Sequence, residues 1–122
     1  MNAATTTLHH PAARALLALG LLAAALWAAI AGGGWPFFAL GALGPDIALA
    51  GGMDRGRLNP RAVPLYNALH TYWLPLPLLA IAATGLLGHG ALVLALAWAA
   101  HIAIDRALGY GLRDREGFQR AG

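Results

Sequence analysis

The sequence predicts an all-α integral membrane bundle of four transmembrane helices, with the N and C termini in the cytoplasm. Three observations predict it. Of the 122 residues, 59% are hydrophobic and only 11% charged, where a soluble domain carries about 25% charged residues. The apolar residues fall into four blocks, each near the ~20 residues that a helix needs to cross ~30 Å of hydrocarbon. Four spans also place every cation on one side of the membrane. The chain has room for a single domain over residues 1–122.

The first span is expected from Ala13 to Ala31, bounded by Gly32-Gly33-Gly34. A cleaved signal peptide has a similar outline, but this apolar run is long for one and leads straight into another apolar segment. A retained helix is the expectation. The second span runs from Trp35 to Gly51 and is interrupted at Gly44-Pro45; a polar loop follows from Gly52 to Pro64. The third runs from Leu65 to Leu87 with Pro75 and Pro77 inside it, and each of the three prolines bends its helix or ends it early. After the Gly88-His89-Gly90 turn, the fourth runs from Ala91 to Leu112, and a polar tail covers residues 113–122. Backbone in hydrocarbon must bond to itself, which makes helices the default.

Orientation follows from charge. Arg14 precedes the first span; Arg55, Arg57 and Arg61 lie between the second and third; Arg106, Arg113, Arg115 and Arg120 lie at or after the end of the fourth. The other two connections carry no cation, so the Arg-bearing side is the cytoplasmic one. All eight cations are Arg and none is Lys. A coding bias together with the cytoplasmic preference for cations accounts for them, and nucleic acid is not an expected partner. The lipid bilayer is, with Asp54-Arg55-Gly56-Arg57 near its headgroups. A bacterial inner-membrane, multi-pass location follows, and a homo-oligomer is left open. Gly20 with Ala24, and Gly41 with Gly44 and Pro45, offer small surfaces for close helix contact.

Within these apolar blocks four ionisable residues stand out: Asp46, His70, His101 and Asp105. Each costs roughly 2.5 to 3.5 kcal/mol at the centre of a spanning helix, so each calls for a partner, a cavity or a ligand. At 1.5 Å per residue, Asp46, His70 and Asp105 fall within roughly 7 to 11 Å of the cytoplasmic ends, with His101 one turn deeper. His101 and Asp105 share a helix face by their i, i+4 spacing. Tyr66 and Asn67 extend the polar strip beside His70, and Arg106 and Tyr110 are further supporting partners.

Two imidazoles and two carboxylates suit one divalent metal such as Zn, Mn or Fe. If the site is catalytic, a metal-dependent hydrolase is the expected class, with a metal-bound water attacking an ester or phosphoester. Two other readings stand beside it: a hydrogen-bonded cluster that only fixes helix packing in a non-catalytic scaffold, and a proton-coupled carrier. Metal ligands must share one centre, so the metal reading requires the four side chains to converge within ~5 Å. The chain contains neither Ser nor Cys, which excludes Ser and Cys covalent hydrolysis, disulfides and thiolate metal sites. His9, His10 and His89 are expected as solvated surface residues, Trp35 as an interfacial anchor, and Gly109-Tyr110-Gly111 as the shape of a helix end.

The segments GPDIALAGG, YNALHTYWLP and AHIAIDRALGYGLR together resemble a bacterial family of small four-helix membrane proteins, the domain-of-unknown-function family 4260. The likeness covers Leu16 to Phe118. It implies the four-helix topology and no particular activity. Pro45-Asp46, His70 and His101 to Asp105 are also similar, in order, to elements of inner-membrane metal-dependent hydrolases. Those carry Pro-Asp-x-Asp, a His-rich element and His-x-x-x-Asp. Here Ala48 stands at the second Asp of the first element, and Asn67 is the nearest substitute for a second His.

Overall fold

The computed structural model describes residues 10–121. Its longest element, α1 (Pro11–Gly32), has Pro11 in its first turn and is capped by His10, whose Nδ1 accepts from the Ala12 amide at 3.1 Å. Pro is suited to a first turn because its missing N–H has no partner there anyway. Then come α2 (Trp35–Leu43), a 3-10 segment (Gly44–Gly51) and a two-residue hairpin of β1 (Met53–Asp54) and β2 (Arg57–Leu58). A short 3-10 turn leads into α3 (Val63–Leu69), α4 (Pro75–Ala82) and α5 (His89–Ala107). The chain closes in an antiparallel hairpin of β3 (Tyr110–Arg113) and β4 (Gln119–Ala121).

Helix α5 is the hub against which α1, α2 and α4 pack. At its start His89 donates from Nε2 to the Ala28 carbonyl at 2.7 Å, and at its end the Arg106 carbonyl accepts from Arg14 at 3.3 Å. These two contacts set α1 antiparallel to α5. Gly90 lies against Phe37 and His101 against Ala42, so α2 runs alongside α5 in the same direction. Gly41 marks the closest approach: a Cβ there would lie 2.7 Å from the Leu94 carbonyl and 2.9 Å from the Trp98 amide. By contrast, a Cβ on Gly20 would meet nothing within 4 Å.

The interior is built from alanine. Ala18, Ala25, Ala28 and Ala29 of α1 are buried with Ala95, Ala97, Ala99, Ala100 and Ala103 of α5, while Leu16, Leu19, Trp27, Ile30, Leu40, Leu43, Ile47, Trp73 and Leu86 stand exposed. A water-soluble bundle does the reverse, burying its large side chains to gain the hydrophobic term. Small residues inside and large apolar ones outside are the pattern of helices that pack by close backbone approach in lipid. By length and composition, α1 and α5 are each long and apolar enough to cross a membrane.

The segments expected as the second and third spans are helical but broken. Pro45 has no N–H, and the chain tightens into the 3-10 segment at that point. α2 and this segment together supply about 30 Å of helical rise. The expected third span divides into α3 and α4 around residues 70–74, because Pro75 cannot donate to Thr71 nor Pro77 to Trp73. α5 stops at Ala107, short of the Leu112 expected for the fourth span; Gly109 takes φ +92° there and turns the chain into β3. The polar tail folds back as part of the C-terminal hairpin. Leu58 donates its amide to the Gly117 carbonyl at 2.9 Å, bringing the eight arginines to one end of the bundle with the Gly52–Pro64 loop.

Candidate metal centre

Each break in a helix frees a backbone carbonyl, and α5 supplies the donors. A 3-10 pattern bonds i to i−3, which leaves the Ala42 carbonyl, the i−4 acceptor of Asp46, without its helical partner. His101 Nδ1 takes it at 2.7 Å. Where α3 ends, Trp98 Nε1 donates to the Leu69 carbonyl at 2.8 Å and Arg106 Nη2 to the His70 carbonyl at 3.0 Å. Unpaired backbone groups are costly in an apolar setting, so these side chains make the discontinuities stable. The same contacts bring Asp46, His70 and α5 together.

His70 sits on the last turn of α3, with its Nδ1 2.7 Å from the Tyr66 carbonyl one turn earlier. Its ring is stacked on that of Tyr66 with centroids 3.9 Å apart. A carbonyl oxygen only accepts, so both His70 and His101 carry their proton on Nδ1. In the neutral ring each Nε2 presents a lone pair, and the two Nε2 atoms face one another at 3.3 Å. Asp46 Oδ1 lies 3.0 Å from His70 Nε2 and 3.3 Å from His101 Nε2. Asp105 Oδ2 lies 3.4 and 3.5 Å from the same two atoms.

The four donor atoms all fall within 4.8 Å of one another. A tetrahedron with metal–ligand bonds of about 2.1 Å has edges of about 3.4 Å. Five of the six edges here run from 3.0 to 3.5 Å. With both rings neutral, two carboxylates and two imidazole lone pairs repel each other, and a cation at their centre reverses the sign of that interaction. The carbonyls on the two Nδ1 atoms are the outer partners that orient metal-binding histidines.

The set is graded in exposure: the side chains of His70, His101, Asp105 and Asp46 are 1%, 10%, 22% and 44% exposed. Asp46 is therefore the ligand on the open side, against a groove formed by Pro36, Leu40, Leu43 and Ile47. On the other side, His101 and Asp105 end an apolar cavity of about 170 Å³ lined by Leu22, Phe38, Ala97 and Ile104.

The supporting residues read from the sequence divide. Tyr66 stacks on His70, and Arg106 holds the His70 carbonyl. Asn67 turns away from the four and exchanges two bonds with the Arg113 backbone, at 2.9 and 2.8 Å. Tyr110 offers only its carbonyl, to Arg106 at 3.1 Å, while its ring is exposed. His10 and His89 are exposed at the surface, yet both make the helix contacts described above. His9 lies outside the described residues. Gln119 and Gly117 do not stand out in the sequence, and Arg113 does so only as one of the cations. An Asp114-to-Gly117 turn between YGLR and FQRA was the available signal, with Asp114 Oδ1 accepting from the Glu116 and Phe118 amides.

An α-helical chain with an alanine interior, an apolar exterior and a His/Asp cluster at its helix breaks defines the class. Residues 11–121 match the family described as domain of unknown function (DUF4260), and the chain belongs to that family. No curated protein and no solved structure matches it.

Proposed function

We propose that the protein is a four-span membrane protein of the bacterial inner membrane that holds one divalent cation near its cytoplasmic face. Asp46, His70, His101 and Asp105 are the ligands. The observation that carries this reading is the convergence of the four side chains: with both Nδ1 atoms turned to carbonyls, two Nε2 atoms and two carboxylate oxygens lie within 4.8 Å of one another. Nitrogen and oxygen donors at near-tetrahedral edges favour zinc, with Mn and Fe as the other N/O-binding candidates. The two carboxylates balance the charge of a divalent ion.

Four protein ligands make a closed centre of the structural kind, whereas a catalytic centre keeps a position open. Asp46, the most exposed of the four, is the ligand whose movement would open one, and hydrolysis is the chemistry such an opening would permit. The four-span reading is supported by the two broken passes beside α1 and α5 and by the gathering of the arginines at one end.

The test is metal analysis of the purified protein in detergent. About one zinc per chain, lost in His101→Ala with helical content retained, is expected. If no divalent metal binds the intact chain under any supplementation, the cluster is a packing device and the site reading is wrong.

A further inference from the structure

We infer that the C-terminal hairpin, β3 and β4, sets the position of His70 and thereby controls the affinity of the metal centre. The inference rests on the site reading above and adds its regulation. His70 is almost wholly buried, and what holds it leads to the hairpin. Its ring stacks on Tyr66, whose hydroxyl donates to Gln119 Oε1 at 3.3 Å. The Arg113 guanidinium lies over the Tyr66 ring, 4.9 Å from its centroid. Asn67, three residues before His70, is locked to the Arg113 backbone by two hydrogen bonds. Arg106 bridges the His70 carbonyl to the Tyr110 carbonyl.

The turn on which His70 sits is thus framed by hairpin contacts on a helix only seven residues long. A helix that short does not persist alone. With the hairpin docked, the last turn of α3 is fixed and Nε2 points at the other three ligands. With it undocked, Tyr66 loses its hydroxyl partner and Asn67 both of its bonds, and His70 samples other orientations. Coupling of this kind is reciprocal: hairpin docking tightens metal binding by the same factor that metal binding tightens docking. Gln119, Tyr66 and Arg113 are therefore positioning residues, and the hairpin is a place where metal affinity can be changed without touching a ligand.

Gly117 allows a test remote from the centre. It takes φ +97°, and a Cβ there would lie 1.9 Å from the Leu58 carbonyl, so Gly117→Val expels the turn from its seat on β2. The experiment compares the intact chain, Gly117→Val, Gln119→Ala and Gln119→Glu in detergent, the last keeping an acceptor for Tyr66. Two quantities are read: the zinc dissociation constant, and the solvent exchange rate of the His70 Nδ1 proton by NMR without metal.

Gly117→Val is expected to weaken zinc binding about 5- to 150-fold, the usual range of coupling between sites, with stoichiometry unchanged. Gln119→Ala is expected to move the same way and Gln119→Glu to restore binding only in part, since a carboxylate keeps the acceptor for Tyr66 but loses the donor to the Gly111 carbonyl. The His70 proton should exchange faster in the two weakened variants, and zinc should slow tryptic cleavage after Arg115 and Arg120. Unchanged affinity and exchange in Gly117→Val, with its tail cleaved faster, overturn the inference while leaving the metal site standing. If the intact chain binds no zinc, the site reading fails and with it the control of affinity. The exchange rates then still decide whether the hairpin positions His70.

Discussion

His70 and His101 meet Nε2 to Nε2 at 3.3 Å, each with its opposite ring nitrogen 2.7 Å from a backbone carbonyl. With both rings neutral, two imidazoles arranged in this way offer nothing to each other except a shared cation. Removing either ring leaves three donors and an uncompensated carboxylate pair. His70→Ala and His101→Ala should each cost more zinc affinity than the ~10–100-fold typical of losing an outer partner of a metal ligand. Titration calorimetry of folded variants measures this. Equal affinity in both variants and the intact chain would falsify the assignment.

The pH dependence separates the metal centre from a packing cluster, because the two have opposite sign. Metal ligands must be deprotonated, so zinc affinity should rise between about pH 5.5 and about pH 7.5. A cluster held by protonated imidazoles between carboxylates gains its stabilisation when the rings are charged and loses it as pH rises. Thermal unfolding across that interval, with and without zinc, reads both signs. Stabilisation by zinc that fades on acidification is expected.

Much of the site was legible in the sequence because ionisable residues in apolar runs are conspicuous and their depth can be counted. Asp46, His70, His101 and Asp105 were placed in one layer by residue counting, and their donor atoms lie within 4.8 Å. The helix breaks were half legible. Pro45, Pro75 and Pro77 announced irregularity, but which carbonyls would be freed, and that Trp98, His101 and Arg106 would take them, depends on how helices pack. The hairpin in the tail was not legible for a different reason. Residues 113–122 are polar, and polarity alone does not distinguish a solvated segment from a hairpin whose side chains bond inward, as Gln119 does to Tyr66 and Gly111. Asn67 lies near His70 in sequence, yet its side chain bonds to the Arg113 backbone in the hairpin.

The two glycine surfaces proposed for helix contact should respond differently to a side chain. Gly41→Val places atoms where the Leu94 carbonyl, the Ala97 Cβ and the Trp98 amide already lie, at 2.7 to 2.9 Å from the Cβ position. Overpacking of this kind typically costs about 1–3 kcal/mol. Gly20→Val meets no neighbour within 4 Å and should leave stability unchanged within about 0.5 kcal/mol. Melting temperatures in detergent compare them, and an equal loss in both would mean that α1 also packs through Gly20.

Trp98 tests the account of the break between α3 and α4. Its indole N–H is the donor on the Leu69 carbonyl at 2.8 Å. Trp98→Phe keeps an aromatic ring and deletes that donor. Leaving a shielded carbonyl without a partner costs about 1–3 kcal/mol. The variant should melt lower and expose the region around residues 70–74 to faster amide exchange. No change in either would show that water already serves the Leu69 carbonyl.

Topology is open to direct measurement, and the arginines supply the expectation. In the structure Arg14 and Arg106 meet at one end of the bundle, where the Arg-bearing Gly52–Pro64 loop and the C-terminal hairpin also lie. The Gly32–Gly34 and Thr84–Gly88 connections at the other end carry no cation. Positive charges in short loops are retained in the cytoplasm. A cytoplasm-specific reporter fused after Ala121 should therefore be active, and one inserted in the Thr84–Gly88 turn inactive, with a periplasm-specific reporter giving the reverse. A C-terminus found in the periplasm would put the cluster on the outer side. The ligands would still converge, since they belong to the fold rather than to its orientation. The centre would then draw its cation from the periplasm, and the arginine distribution would need a cause other than insertion.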